Sequence, residues 1–125
     1  MTFWIFMLIM VLITPITFIV FGLLFANKPP KEINDTYGYR TKRSMTNQET
    51  WNFAHKYIGK LWFVYGLIIF PFSVAIMSFV FGTEINLIGT VGGILVFLQM
   101  IPLIFSIILT EKTLKKNFDE YGKRK

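Results

Sequence analysis

Three stretches of this sequence carry no charged side chain: residues 3–26, 61–81 and 85–110. They run 24, 21 and 26 residues, and a helix needs roughly 20 apolar residues to cross the hydrocarbon core of a bilayer. Lipid offers no partner for a free N–H or C=O, so runs of this kind fold as helices that satisfy their own backbone. A soluble alternative would have to bury three such helices. A chain of 125 residues encloses too little interior to do so. The expected fold is therefore an all-α integral membrane protein, with three transmembrane helices in a single membrane domain over residues 1–125.

The charges that remain are strongly placed. Of the 13 Lys and Arg residues, seven lie between residues 27 and 60: Lys28, Lys31, Arg40, Lys42, Arg43, Lys56 and Lys60. The other six lie in the tail, residues 111–125. The N-terminus and the short connection at residues 82–84 have none. Positive charge marks the cytoplasmic side of a membrane protein. The expected orientation is an outside N-terminus, a cytoplasmic loop over 27–60, an outside turn at 82–84 and a cytoplasmic tail in the cell membrane. The net charge of +6 then reflects topology and a fit to anionic lipid, with no nucleic acid as partner. The first run lacks a basic n-region, is long, and is followed by positive charge, so it reads as a retained helix and not a cleaved signal peptide. The chain has no cysteine and one histidine, which leaves no basis for disulfides or a His-based metal site. No cofactor is expected.

Within the first span, Phe3 and Trp4 suit an interface. Pro15 removes a backbone hydrogen bond and predicts a kink, with Thr14 and Thr17 placed to satisfy the freed carbonyls. Pro71 predicts the same in the second span, and Pro102 is an irregular feature of the third. Gly89 and Gly93 form a small-xxx-small pair that favours close helix packing in lipid. Gln99, near mid-membrane, is expected to hydrogen-bond to another helix.

Asn27-Lys28-Pro29-Pro30 ends the first helix, and residues 31–45 show neither helical nor strand periodicity, which predicts an ordered loop. Thr46 and Glu49 fit a capping box. The following segment places Trp51, Ala54, His55, Ile58, Leu61 and Trp62 on one face, with Asn52, Lys56 and Lys60 opposite. This predicts a cytoplasmic amphipathic interfacial helix, either separate from the second span, with Gly59 as the bend, or continuous with it. The tail places Leu114, Phe118 and Tyr121 on one face and Glu111 four residues before Lys115, a favourable ion-pair order. A short amphipathic C-terminal helix is expected there.

No nucleophile, base or metal cluster gathers in the sequence, and the spans lack the ionisable groups that mark ion paths. The chain reads as a protein that is not an enzyme. The polar chemistry is concentrated in the loop, in Tyr37, Tyr39, Arg40, Thr41, Ser44, Asn47 and Trp51. A guanidinium can hold a carboxylate or phosphate with two parallel bonds, and aromatic rings can cover it. These residues are candidates for a ligand- or partner-binding face. The alternative is structural: Arg40 caps a helix or pairs with Glu32, Asp35 or Glu49, and the tyrosines anchor at the interface.

The same loop carries a resemblance. Ile33-Asn34-Asp35-Thr36-Tyr37-Gly38-Tyr39-Arg40-Thr41, then Ser44-Met45-Thr46-Asn47, then Trp51-Asn52-Phe53-Ala54, resembles the signature of the SdpI family. Leu114, Phe118, Asp119 and Gly122 resemble its tail pattern. The family usually has Asn where this chain has His55. Larger members carry further membrane segments upstream, so this chain looks like the stand-alone signature domain. The resemblance implies a membrane immunity protein against a secreted, membrane-active killing peptide. It also implies a second role, relaying the toxin's presence by holding a cytoplasmic repressor at the membrane. The rival expectation is a small transporter or lipid-handling subunit, acting as an oligomer or with a partner.

Overall fold

The computed structural model describes residues 1–125 as three helices, α1 (Thr2–Asn27), α2 (Gln48–Phe79) and α3 (Ile85–Asn117). Each is long and apolar enough to cross a membrane. They alternate in direction. Near the N-terminus, the Trp4 indole N–H donates to the Met77 carbonyl at 2.7 Å, beside the tight turn over residues 80–84. The opposite end holds the loop of residues 28–47 and the C-terminal tail. Two apolar clusters anchor the two ends. Val11, Met77, Val80, Ile88 and Leu95 pack at the turn end. Phe25, Tyr39, Ala54, Ile58, Leu114 and Phe118 pack at the loop end. Large side chains such as Phe72, Phe79 and Phe97 point outward from the bundle, as the helices of a lipid-embedded protein require.

The first and third expected spans sit inside these helices and the second overruns α2 by two residues, but the two amphipathic appendages are not separate elements. α2 runs unbroken from Gln48 through the second span. Gly59 does not interrupt it. A Cβ there would lie 2.5 Å from the Ala26 backbone nitrogen, and one on Gly22 would lie 2.5 Å from that of Phe63. The two glycines let α1 and α2 touch backbone to backbone, and α2 stays helical through that contact. The apolar face of residues 51–58 is buried in the protein, with Trp51, Ala54, His55 and Ile58 all fully covered. The tail departs in the same way. α3 continues to Asn117, Leu114 and Phe118 are buried, and Tyr121 is exposed. Residues 118–124 then fold back in a tight turn closed by a bridge between Phe118 and Arg124.

Two finer expectations also change. Gly93 has nothing near it and Gly89 only grazes the Phe3 ring. The close approach on α3 is made by Gly92, against Met7. The cap of α2 is Asn47, whose side chain accepts from the Thr50 N–H at 2.8 Å while the Thr50 hydroxyl accepts from the Asn47 N–H at 3.0 Å. Thr46 instead turns back to the Lys42 carbonyl.

Gln99 does reach other helices. Its Nε2 donates to the Val11 carbonyl and to Ser73 Oγ, each at 3.0 Å. Val11 is four residues before Pro15, so its carbonyl is the one that the proline deprives of a partner. Gln99 supplies that partner from α3. Thr17, expected to help there, donates to Ile13 instead.

Candidate functional site

The loop begins with a turn set by Asn34, whose Oδ1 accepts from the N–H groups of Thr36 and Tyr37 at 3.0 and 2.7 Å. Gly38 follows with φ of +113°. A Cβ at that position would lie 2.6 Å from His55 Nε2, so both the backbone and the space demand glycine. The turn delivers the Tyr39 N–H to His55 Nε2 at 2.8 Å. The other ring nitrogen, Nδ1, lies 2.8 Å from the Trp51 carbonyl. An amide N–H can only donate and a carbonyl can only accept. The ring is therefore the neutral tautomer with its proton on Nδ1.

The Tyr39 side chain runs down to the end of α3. Its hydroxyl donates to Glu111 Oε2 at 2.6 Å, and the Thr41 hydroxyl donates to the same oxygen at 2.9 Å. Burial first, and then the Glu111 carboxylate, push the Tyr39 phenol far above its ordinary value. It stays a neutral donor. Ser44 is fully buried. Its hydroxyl accepts from the Thr41 N–H at 2.9 Å and reaches the Tyr39 carbonyl at 2.8 Å. Asn47 Nδ2 donates to the Gly122 carbonyl at 2.8 Å, which ties the tail to the start of α2. The Trp51 indole donates to the Pro30 carbonyl at 2.8 Å.

Of the seven residues singled out in the sequence, the structure therefore gathers Tyr39, Thr41, Ser44, Asn47 and Trp51 into one inward node joining the loop, α2, α3 and the tail. Tyr37 and Arg40 are exposed. The Tyr37 ring lies edge-on to Phe25, 5.7 Å between centroids. The Arg40 guanidinium bonds the Asp35 carbonyl and none of the carboxylates considered for it. Above the node, Arg124 pairs with Glu49 at 2.7 Å and lies over the Phe118 ring.

Sequence reasoning missed the parts that come from afar. Glu111 serves Tyr39 and Thr41, 72 and 70 residues away, and not Lys115. Nothing local to Glu111 signals this. His55 had a usable signal, since it stands one turn after Trp51 on the apolar face, where a polar ring must find partners inside the protein.

A three-helix membrane protein, closed at one end by a polar cap that ties the loop and tail to α2 and α3, is the class these features define. The chain belongs to the SdpI family: the model of the SdpI/YfhL protein family matches residues 31–110. The chain is also 36% identical over 97 residues to "Uncharacterized protein YfhL" of Bacillus subtilis (strain 168), which covers 78% of each. No solved structure matches.

Proposed function

We propose that this chain is a membrane immunity or resistance protein, protecting its cell from a secreted membrane-active peptide, and that it acts from the loop end on the cytoplasmic side. Arg40 and Tyr37 form the contacting face. Tyr39, Thr41, Ser44, Asn47 and Trp51 hold that face in shape. The same surface is available to a cytoplasmic repressor. The role is that of a binding protein and not an enzyme. The observation that carries the reading is the division of the family's own signature: five of its residues are turned inward to fix one conformation, and a cation and an aromatic ring are left facing out. A rigid frame with two outward side chains, themselves held by the Asp35 carbonyl and the Phe25 ring, suits recognition, because the ordering entropy is already spent before the partner arrives.

The test is survival of cells exposed to membrane-active killing peptides, with wild type and Arg40→Ala matched for membrane abundance. Protection that falls at least about tenfold in Arg40→Ala is expected, the loss of one charge-assisted contact. Wild type that protects against no peptide, although present in the membrane, would end this reading. Full protection by Arg40→Ala would remove Arg40 from the working face. A second reading, a small transporter or lipid-handling subunit, draws on one feature between α2 and α3. There Gln99 Oε1 is the one buried side-chain polar atom without a hydrogen-bond partner, beside an apolar groove of about 170 Å³.

A further inference from the structure

The geometry points to an anionic phospholipid site at the loop end, where Lys28, Lys31 and Lys56 converge on one open cavity and would hold a headgroup phosphate. The cavity measures about 650 Å³, and its walls carry no apolar side chain other than the two prolines, Pro29 and Pro30. Asn27 and Asn52 complete it. This inference stands apart from the immunity reading and from the Arg40 face.

Three features make this a built site rather than a scatter of surface lysines. The wall formed by residues 27–31 is fastened to α2: Trp51 donates to the Pro30 carbonyl at 2.8 Å, and Gln48 Nε2 donates to the Lys31 carbonyl at 2.6 Å. Gln48 Nε2 also donates to Asn52 Oδ1 at 2.8 Å. That bond fixes the Asn52 amide and leaves its NH₂ free to donate into the cavity. Finally, the cations have no protein counter-charge. The one ion pair in the chain is Arg124 with Glu49, and no carboxylate lines the cavity.

The dipole of α1 favours cations near its end, but Lys56 and Asn52 belong to α2, so that effect does not explain why all three lysines meet. Three ammonium groups around one space repel each other until an anion enters. Position selects the anion. The wall begins at Asn27, directly after the last apolar residue of the first span. Lys56 is five residues before the second charge-free run, about 7.5 Å along a helix. Both distances place the cavity in the headgroup layer, where lipid phosphates lie. Three cations favour a lipid with two phosphates, such as cardiolipin, over one with a single net charge.

The test uses the full chain purified in neutral detergent, titrated with cardiolipin or with phosphatidylcholine, and bound lipid read by native mass spectrometry. A triple variant, Lys28→Gln/Lys31→Gln/Lys56→Gln, removes the cavity cations. A control, Lys42→Gln/Arg43→Gln/Lys123→Gln, removes the same charge elsewhere. Wild type is expected to retain cardiolipin over phosphatidylcholine. The cavity variant should lose about a hundredfold, roughly fivefold per lysine, and the control should lose less than about fivefold. Circular dichroism of both variants confirms that the helices remain. Equal losses in the two variants would reduce the effect to net charge and overturn the site. So would a wild type without lipid preference. Displacement of cardiolipin by millimolar inorganic phosphate would overturn the lipid assignment and make this a site for the soluble anion.

Discussion

The two ends of this molecule are held by different physics. At the turn end, apolar side chains meet around Met77 and Leu95, with few long-range polar ties: the Trp4 indole bond to Met77 and the Gln99 amide bonds to Val11 and Ser73. At the loop end, apolar packing shares the work with a web through His55, Tyr39, Ser44, Asn47 and Glu111. In lipid, apolar side chains gain little by leaving hydrocarbon for each other, so helix order must come from close packing and polar contacts. The turn end is fixed by a short connection. The loop end must find its arrangement across long sequence separations, and there the directional bonds are concentrated.

The strongest way to break this contrast is to block the backbone contact of α1 with α2. Gly59→Val should lose about 3 kcal/mol, the upper part of the overpacking range, because the obstructing atoms are backbone and cannot swing aside. Gly93→Val, facing open space at the turn-end half of α3, should be nearly silent. Denaturant titration in micelles reads both, and equal effects would erase the distinction. Next in size is His55→Ala. It strands the buried Tyr39 N–H, at about 2 kcal/mol. Hydrogen exchange at the Tyr39 amide should accelerate, and exchange at Met77 should not. Unchanged exchange at Tyr39 would mean that the ring is not its partner.

A pH titration sharpens the picture further. An unfolded tyrosine ionises near pH 10, whereas folded Tyr39 holds its proton well above that. Stability from this group is intact below about pH 10 and declines above it, because there the unfolded chain gives up a proton that the folded one keeps. Tyr39→Phe should therefore be less stable than wild type at neutral pH and lose less between pH 9 and pH 11. Parallel curves would contradict the Glu111 pairing. The smallest effect belongs to Arg124→Ala. Both partners of its ion pair are more than half exposed, so the loss should be about 1 kcal/mol or less even with the ring contact. A loss as large as that of His55→Ala would make the tail a principal support of the cap.

The spans were legible because bilayer thickness imposes a length and excludes charge, and both can be read from residues 3–26, 61–81 and 85–110 alone. The continuity of α2 was not. The apolar face of residues 51–62 repeats identically whether the helix bends at Gly59 or runs straight, and the deciding contact with Gly22 lies on another helix. The cap lies one residue later than expected because Thr46–Glu49 fits the usual pattern with Glu at the third position, whereas the pair formed is Asn47 with the Thr50 hydroxyl in the role of the Glu. The bond from Asn47 to Gly122 favours the second, and it spans most of the chain. In the signature loop, the residue types were visible, but their inward or outward direction depended on His55 and Glu111.

The pairing of Pro15 with Gln99 bears on the order of events during synthesis. The proline opens a vacancy in α1, at the Val11 carbonyl, as soon as the first span exists. The residue that fills it is made 88 positions later. Until then the nascent chain carries an unpaired carbonyl at the depth of the hydrocarbon. The run of 24 apolar residues still favours lipid, so the first span can insert with that one bond unmade. Assembly of the bundle then closes the gap with a single amide from α3.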